Sequence, residues 1–267
     1  MKIESENVIV NLEPESDLEN TIFNSNYMMS KLAYNSTKVD NPNLSIKIGD
    51  NNSTQFVDSV GSINKPFCTY GRIGYITRTF IDTFLIKKNI LPLHSAMIIT
   101  DDKATILLGC SNNGKSTFSK IISEQGFCEV IGDDHIICSD NSAFGNKILR
   151  YRTLEGDEEF YPNLGKSSKF SEYAVVKVDI KDDSRKRKTI SLDDLLANKL
   201  LVSETLKYVS TPVEINDIQY FPSELCGEVD INNRYLDLFV DFIDHSSTIE
   251  LISGNVDDVI YDLRNFW

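Results

Sequence analysis

Apolar residues recur along this chain with two different periods, and each period predicts one kind of element. Helical spacing, together with capping residues, predicts helices at about 76–88, 115–125, 191–203, 234–243 and 256–263. Continuous or alternating apolar runs predict strands at 93–99, 106–108, 128–131 and 173–180, and a hairpin that joins 136–138 to 147–151. Ser191, followed three residues later by Asp194, marks the start of the third helix.

The order of these elements predicts an α/β fold in which a hairpin precedes the second predicted helix. Strands 93–99 and 106–108 are joined by the short turn at 100–103, so they must be antiparallel. A plain mononucleotide-binding fold would enter its first strand without that hairpin.

The first part of the chain has a different composition from the rest. Residues 1–75 are rich in Asn, Ser and Thr, with short apolar stretches at 8–10 and 44–48. They are predicted to form a small β-rich N-terminal lobe, and 76–267 the larger domain.

Composition and charge narrow the class of partner. The 267 residues are 41% hydrophobic and 25% charged, which is typical of a globular domain, and the formal net charge is −13. Such an acidic chain repels nucleic acid and anionic membrane, so neither is expected as the main partner. Five cysteines without a C-x-x-C pair, no signal-peptide pattern and no apolar run near 18 residues favour the cytoplasm.

Residues 109–116 read Gly-Cys-Ser-Asn-Asn-Gly-Lys-Ser and match the phosphate-binding loop G-x-x-x-x-G-K-[ST] at every fixed position. A buried strand precedes the motif, and a helix that ends at Gly126 follows it, as this loop requires. Backbone amides and the Lys115 ammonium suit the phosphates, and the Ser116 hydroxyl suits Mg²⁺. The predicted nucleotide-binding residues are Gly109, Cys110, Ser111, Asn112, Asn113, Gly114, Lys115, Ser116 and Thr117.

Asp133 and Asp134 follow Lys115 by 18 and 19 residues, at the end of the next predicted strand. An open α/β sheet presents ligand-binding groups at that position. One carboxylate can hold Mg²⁺ directly or through water, and the other can orient or deprotonate an attacking hydroxyl. His94 begins the strand before the motif and is a candidate for the phosphate site, whereas a role for His135 stays open.

This layout resembles the HPr kinase/phosphorylase superfamily, which is related by fold to phosphoenolpyruvate carboxykinase. The shared features are His94, the loop 15 residues later, and the stretch Ile131-Gly132-Asp133-Asp134. The resemblance implies ATP and Mg²⁺ as cofactors, with His94 at the phosphate site and Lys115 on phosphate. It further implies that Ser116 binds Mg²⁺, that Asp133 accepts the proton of a substrate serine, and that Asp134 works through the metal.

Two departures from that superfamily bear on the substrate. The downstream glycine-rich signature is missing, and the second Mg²⁺ ligand has only loose candidates in Glu155, Asp157 and Glu158. The short N-terminal lobe makes the chain more similar in outline to the lasso peptide kinases, which phosphorylate serine on a precursor peptide.

The leading hypothesis is therefore an ATP- and Mg²⁺-dependent kinase for a serine hydroxyl on a peptide or small protein. The alternatives are a kinase for free serine or a sugar and a non-catalytic nucleotide-binding regulator. Arg150, Arg152 and the cluster Arg185 to Lys188 are expected walls for an extended acceptor, although the cluster also fits a solvated loop. The phosphate donor and self-association into a homo-oligomer stay open.

Overall fold

The structure is a computed structural model of the chain. It describes residues 2–5, 8–14, 44–49, 55–57, 60–64, 70–110, 113–139, 141–146, 148–152, 157–162, 167–180, 185–215, 218–227 and 230–267.

The strands, in chain order, are β1 Lys2–Ser5, β2 Val8–Pro14, β3 Leu44–Gly49, β4 Gln55–Val57, β5 Val60–Asn64, β6 Leu91–Leu93, β7 Ala96–Thr100, β8 Lys103–Leu108, β9 Glu129–Gly132, β10 Ile136–Ser139, β11 Ser142–Gly145, β12 Ile148–Arg152, β13 Glu158–Pro162, β14 Ser167–Lys169, β15 Glu172–Ile180, β16 Lys186–Thr189, β17 Val213–Ile215, β18 Ile218–Tyr220 and β19 Thr248–Gly254. The helices are α1 Tyr70–Lys87, α2 Lys115–Glu124, α3 Leu192–Leu196, α4 Lys199–Thr205, α5 Lys207–Ser210, α6 Pro222–Cys226, α7 Ile231–Asp244 and α8 Val256–Arg264.

A six-stranded mixed sheet with the order β16-β19-β15-β8-β7-β9 organises the larger part of the chain. Its central strand β15 is buried on both faces, and successive side chains join opposite clusters. Tyr173 and Val175 pack with α7 on one face, whereas Ala174 and Val176 pack with α2 and α8 on the other. The mixed α/β class predicted from the sequence is therefore confirmed.

The directions of the strands bring four strand ends to one edge of this sheet. β15 runs parallel to β8 and to β19. β7 is antiparallel to both β8 and β9, so β9 points the same way as β8. Consequently the carboxyl ends of β8, β9, β15 and β19 and the start of β7 lie at the same edge. The antiparallel hairpin β7–β8, expected from its short turn, is confirmed.

Two predicted β elements are wrong in detail. The strand expected at 93–99 is split, because β6 pairs with β10 in a second sheet, ordered β14-β11-β10-β6, whereas β7 belongs to the large sheet. His94 lies in the break. The hairpin expected between 136–138 and 147–151 is also wrong: β10 pairs with β11, and β12 pairs with β13.

The helix expected at 191–203 is two helices. The predicted capping box of Ser191 and Asp194 is present at α3. The helix ends at Leu196, and the Asn198 side chain accepts a hydrogen bond from the Leu201 amide to begin α4. Because an asparagine side chain competes for backbone donors, it favours a new start over continuation.

The basic cluster that was interpreted as a loop is mostly a strand. Residues 186–189 form the exposed edge strand β16, antiparallel to β19. Lysine and arginine on an exposed edge discourage pairing with another chain.

The N-terminal part contains a five-stranded sheet with the order β1-β2-β3-β5-β4. The strands expected near 8–10 and 44–48 are present as β2 and β3. The domain boundary near residue 75 stays a prediction. Within the part of the chain that the structure describes, no helix is long and apolar enough to cross a membrane.

We expect Gly145→Ala to destabilise the fold, because β11 crosses β9 there. An added Cβ would lie 1.8 Å from the carbonyl oxygen of Ile131. Such overpacking costs about 1–3 kcal/mol, or more where only backbone can yield. Gly126→Ala is the control, since its Cβ would meet nothing within 4 Å and only the positive φ of 73° is strained. Urea unfolding should show the larger loss for Gly145→Ala, and equal losses would contradict the crossing.

Candidate functional site

The phosphate-loop motif connects β8 to α2 at the sheet edge where the four strand ends meet. Gly114 is the N-cap of α2 and has a φ of 80°, a conformation that favours glycine. A Cβ on Gly114 would lie 2.5 Å from the Ile180 side chain, so the position is closed to larger residues. Ser111 and Asn112 lie outside the described residues, while Ser116 and Thr117 are half-buried in the first turn of α2.

Lys115 is a buried cation that folds over this loop. Its side chain is 8% exposed, and its Nζ donates to the carbonyl oxygens of Gly109 at 2.7 Å and Cys110 at 3.2 Å. Burial lowers the pKa of Lys115, and the nearby Asp133 and Asp134 oppose that shift. The loop that holds Lys115 and the acidic pair lie at the same edge of the sheet, after β8 and β9.

Asn113 fixes the other side of the loop to β15. Its side-chain Nδ2 donates to the carbonyl oxygen of Val178 and to Oδ1 of Asp179, each at 3.3 Å. Its backbone N–H donates to the carbonyl oxygen of Cys110 at 3.2 Å. The loop is thus held by the adjacent parallel strand. The sequence contains no local signal for Asp179, because only strand pairing brings it to residue 113.

Asn146 holds the backbone of the acidic loop that follows β9. The backbone amide of Asp133 donates to Oδ1 of Asn146 at 2.8 Å, and Asn146 Nδ2 donates to the carbonyl oxygen of Ile148 at 2.8 Å. Asp133 is 4% exposed. Asp134 has a φ of 69°, which an aspartate adopts more readily than most residues. This backbone turn sends the two neighbouring side chains in different directions.

His94 lies against Asp134 rather than in open solvent. Its Nε2 is 2.8 Å from Oδ1 of Asp134, and its Nδ1 is 3.2 Å from the carbonyl oxygen of Glu204 on α4. Burial lowers the pKa of His94, although its hydrogen bond with Asp134 acts in the opposite direction. His94, Asp134 and Lys115 thus belong to one group of interacting side chains.

A buried arginine that the sequence analysis missed lies beneath this group. Arg78 on α1 is 1% exposed, with Nε 3.3 Å from Asp82 and Nη1 3.9 Å from Asp134. Its guanidinium stacks over the Tyr208 ring at 3.6 Å. Burial alone would lower the pKa of Arg78, but Tyr208, Asp82 and Asp134 raise it. The signal that could have revealed it is the charged pair at i and i+4 inside the stretch 73–86, which has no other charged residue.

His135 belongs to the same buried layer. Its Nε2 is 3.0 Å from Oδ1 of Asp82, and burial lowers its pKa. The structure therefore gives His135 a place under the acidic loop rather than at its surface.

Of the loose candidates for a second metal ligand, Glu155 lies outside the described residues, Asp157 is exposed, and Glu158 pairs with Arg150 at 3.3 Å. The side chain of Arg152, expected as an acceptor wall, also lies outside the described residues. No cluster of three His, Cys, Asp or Glu side chains suited to a metal occurs among the described residues. The hydroxyl of Ser116 and the two carboxylates of the acidic pair are nevertheless oxygen donors of the kind that Mg²⁺ binds together with phosphates.

The expected acceptor walls prove to lie on opposite sides of the large sheet. Arg185 pairs with Asp262, and Arg187 pairs with Glu250 at 2.7 Å, beside or on β16. β16 and β9 are the two outermost strands, so five spacings of about 4.8 Å separate them by roughly 24 Å. Arg150 on β12, in contrast, lines a cleft with Ser116 and Asp133.

Comparison with known proteins gives little on its own. No family model matches the chain, and no curated protein matches it. Among solved structures, the HPr(Ser) kinase/phosphatase from Coxiella burnetii is similar over 65% of this chain and 86% of that chain, with 14% identity and a TM-score of 0.31. A similarity this small carries no weight for function, which has to be argued from the side chains of the site.

We expect Arg78→Met to destabilise the protein by about 3–5 kcal/mol, because it removes the guanidinium from the buried carboxylate of Asp82 and from the partly buried carboxylate of Asp134. Arg234→Met is the matched control: Arg234 is exposed on α7 and contacts only Lys87 and Asn89 among the described hydrogen bonds. Arg234→Met should lower the free energy of unfolding by no more than about 1 kcal/mol. Urea unfolding measures the stability of both variants. Similar losses would contradict a structural role for Arg78.

Proposed function

We propose that this chain is a Mg²⁺-dependent kinase that transfers the γ-phosphoryl group of ATP to a serine hydroxyl on a peptide or small protein. The observation that carries the proposal is the meeting of a phosphate-loop lysine with a pair of carboxylates at one sheet edge. The motif follows β8 and the acidic pair follows β9, two strands that run in the same direction, and Ser116 and Asp133 line one cleft. Phosphoryl transfer requires mainly such positioning and charge neutralisation, with little covalent chemistry from the protein.

Each residue of the site has a role that suits its surroundings. The amides of the loop at 109–114 and the N-terminus of α2 bind the phosphates, and Lys115 contributes a cation from a position shielded from water. Asp133 orients the acceptor hydroxyl and takes its proton. His94 and Arg78 hold the Asp134 carboxylate in place at 2.8 Å and 3.9 Å.

Magnesium fits the donors present. Ser116 and Asp134 would hold it together with the phosphates, with Asp134 acting directly or through water. When bound, the ion supplies positive charge next to the phosphates. The chain itself still has to align the acceptor, and that role falls to Asp133.

The charge of the protein supports a polypeptide or small-molecule acceptor over a nucleic acid. A net charge of −13 repels a phosphate backbone. The preference for serine comes from the resemblance of the motif layout to HPr kinases and from analogy with peptide-modifying kinases.

Replacing the loop lysine tests nucleotide binding. Lys115→Ala should weaken MgATP binding by at least about tenfold, equivalent to about 1.4 kcal/mol, because the phosphates lose a buried cation. Lys103→Ala, at the opposite end of β8 and exposed, should bind MgATP like wild type. Calorimetric titration gives both affinities. Unchanged affinity in Lys115→Ala would show that the loop does not bind the triphosphate.

Replacing the proposed base tests the chemistry. Asp133→Asn should lower phosphoryl transfer roughly 10²- to 10⁴-fold, the usual range for acid–base assistance, while MgATP affinity stays close to wild type. Asp237→Asn, exposed on α7, is the control. The assay follows label from ATP into polypeptides and metabolites of a cell extract, with circular dichroism to verify folding. Wild-type transfer by folded Asp133→Asn would remove Asp133 from this role.

The same assay separates the alternatives for the acceptor. Label confined to free metabolites would replace the peptide kinase by a small-molecule kinase. Binding of MgATP without any transfer would instead favour a nucleotide-binding regulator.

A further inference from the structure

A cleft of about 140 Å³ opens beside the proposed transfer site, between α2 and the β12–β13 hairpin. Ser116 of the phosphate-loop motif and the proposed base Asp133 both line it. A group that occupies the cleft can therefore reach the two residues that the transfer reaction requires. No role in nucleotide binding accounts for the rest of its walls.

One face of α2 forms the first wall. The side chains that line the cleft from this helix recur at i, i+3, i+4, i+7 and i+8: Ser116, Ser119, Lys120, Ser123 and Glu124. The opposite face carries Phe118 and Ile122, which are buried in the core. Residues 116 and 124 are eight apart, so this wall is about 12 Å long at 1.5 Å per residue. Three of its five side chains are serines, whose small size leaves the space open.

The hairpin forms the second wall and is attached to α2 by polar contacts. Lys120 Nζ donates to the Tyr161 hydroxyl at 2.8 Å, lies 4.2 Å from the centre of its ring, and is 3.6 Å from Glu159. Arg150 pairs with Glu158 across the hairpin at 3.3 Å. Lys120, Arg150 and Tyr161 line the cleft together with Leu149 and Pro162, so its walls combine groups that can hydrogen-bond a ligand with apolar surface.

The volume of the cleft limits the size of the molecule that it can bind. Clefts for drug-sized molecules measure about 300–1,000 Å³, so this one is too small for a nucleoside. A volume of about 140 Å³ is less than half the lower end of that range, so it suits one small unit rather than a nucleoside. A hydroxyl-bearing unit of that size would place its oxygen beside Asp133.

We propose that the cleft between α2 and the β12–β13 hairpin is the acceptor subsite, and that it takes a single serine-sized hydroxyl unit, free or within a chain. The assignment of the unit as a phosphate acceptor rests on the proposed kinase function. The proposal also places the acceptor beside Arg150 and Tyr161 rather than beside Arg185 and Arg187. The two sources of the unit are distinguished by the choice of probe.

The test fills the cleft without touching the nucleotide site. Ser123→Phe places a large side chain on the α2 wall, and Ser123→Leu is a milder second variant. Gln125→Phe introduces the same side chain at an exposed position just after α2 that does not line the cleft. The probes are free L-serine and an acetylated, amidated pentapeptide pool with central serine. Binding of each probe is measured by saturation-transfer NMR and transfer by labelled ATP.

At least one probe should bind wild type and Gln125→Phe alike, and should bind Ser123→Phe at least about tenfold more weakly, equivalent to about 1.4 kcal/mol. Affinity for MgATP should stay equal in all four proteins. Selective binding of the peptide pool would assign a chain-borne serine, and selective binding of L-serine a free one.

Equal probe binding by wild type and by folded Ser123→Phe and Ser123→Leu would overturn the subsite, as would the absence of binding by both probes. Failure of wild type to bind MgATP would overturn the kinase proposal instead. Probe binding that is lost on filling the cleft would still support the subsite in that case.

Discussion

The constraint on which this structure depends is the joint burial of opposite charges at one edge of the large sheet. Lys115 and Arg78 are buried cations, and Asp82, Asp133 and Asp134 are the carboxylates around them. A buried ion that loses its partner costs several kcal/mol, so none of these groups is tolerable alone. The phosphate loop, the acidic loop and α1 must therefore be in place together. The charges that suit the site for phosphate chemistry are also the charges that fix its geometry.

This constraint gives α1 a role beyond packing. The helix contributes Arg78 and Asp82 to the underside of the acidic loop, while Thr79 donates to the carbonyl oxygen of Tyr208 at 3.1 Å and so connects α1 to α5. Asp134 at a positive φ is a strained residue that persists because its surroundings determine it. Contacts from Arg78 on α1 and from His94 hold the Asp134 side chain, and Asn146 holds the backbone of the adjacent Asp133. The acidic pair is thus positioned before any ligand arrives, which reduces the reorganisation that transfer would need.

How far the sequence could predict the molecule follows from the range of the interactions involved. α2 and the β7–β8 hairpin are specified by residues within about a dozen positions, and the structure contains both. The split at His94 depends on the pairing of β6 with β10, which brings Leu93 opposite Ile136 from a distant part of the chain. The pairing of β10 with β11 is local, and the sequence analysis chose the wrong second strand for that hairpin. Gly145 was not recognised because its need for glycine comes from Ile131, which it meets only in three dimensions. Asn146 was missed for the same reason, since it acts on Asp133. Arg78 has a local partner in Asp82, but its contacts with Asp134 and Tyr208 form only in three dimensions.

The order of the strands also decides which basic residues can face the chemistry. Sequence distance makes Arg185 and Arg150 look equivalent, since neither adjoins the phosphate loop. In the sheet, β16 and β9 are the two outer strands, and the arginines beside β16 are engaged by Asp262 and Glu250. The β12–β13 hairpin instead lies against α2, and Lys120 joins the two through Tyr161. An acceptor that must bring an oxygen to Asp133 has a short path along α2 and a path of roughly 24 Å across the sheet. Because the proposed transfer would require near-contact distances, the nearer wall is where selectivity for the proposed acceptor would arise.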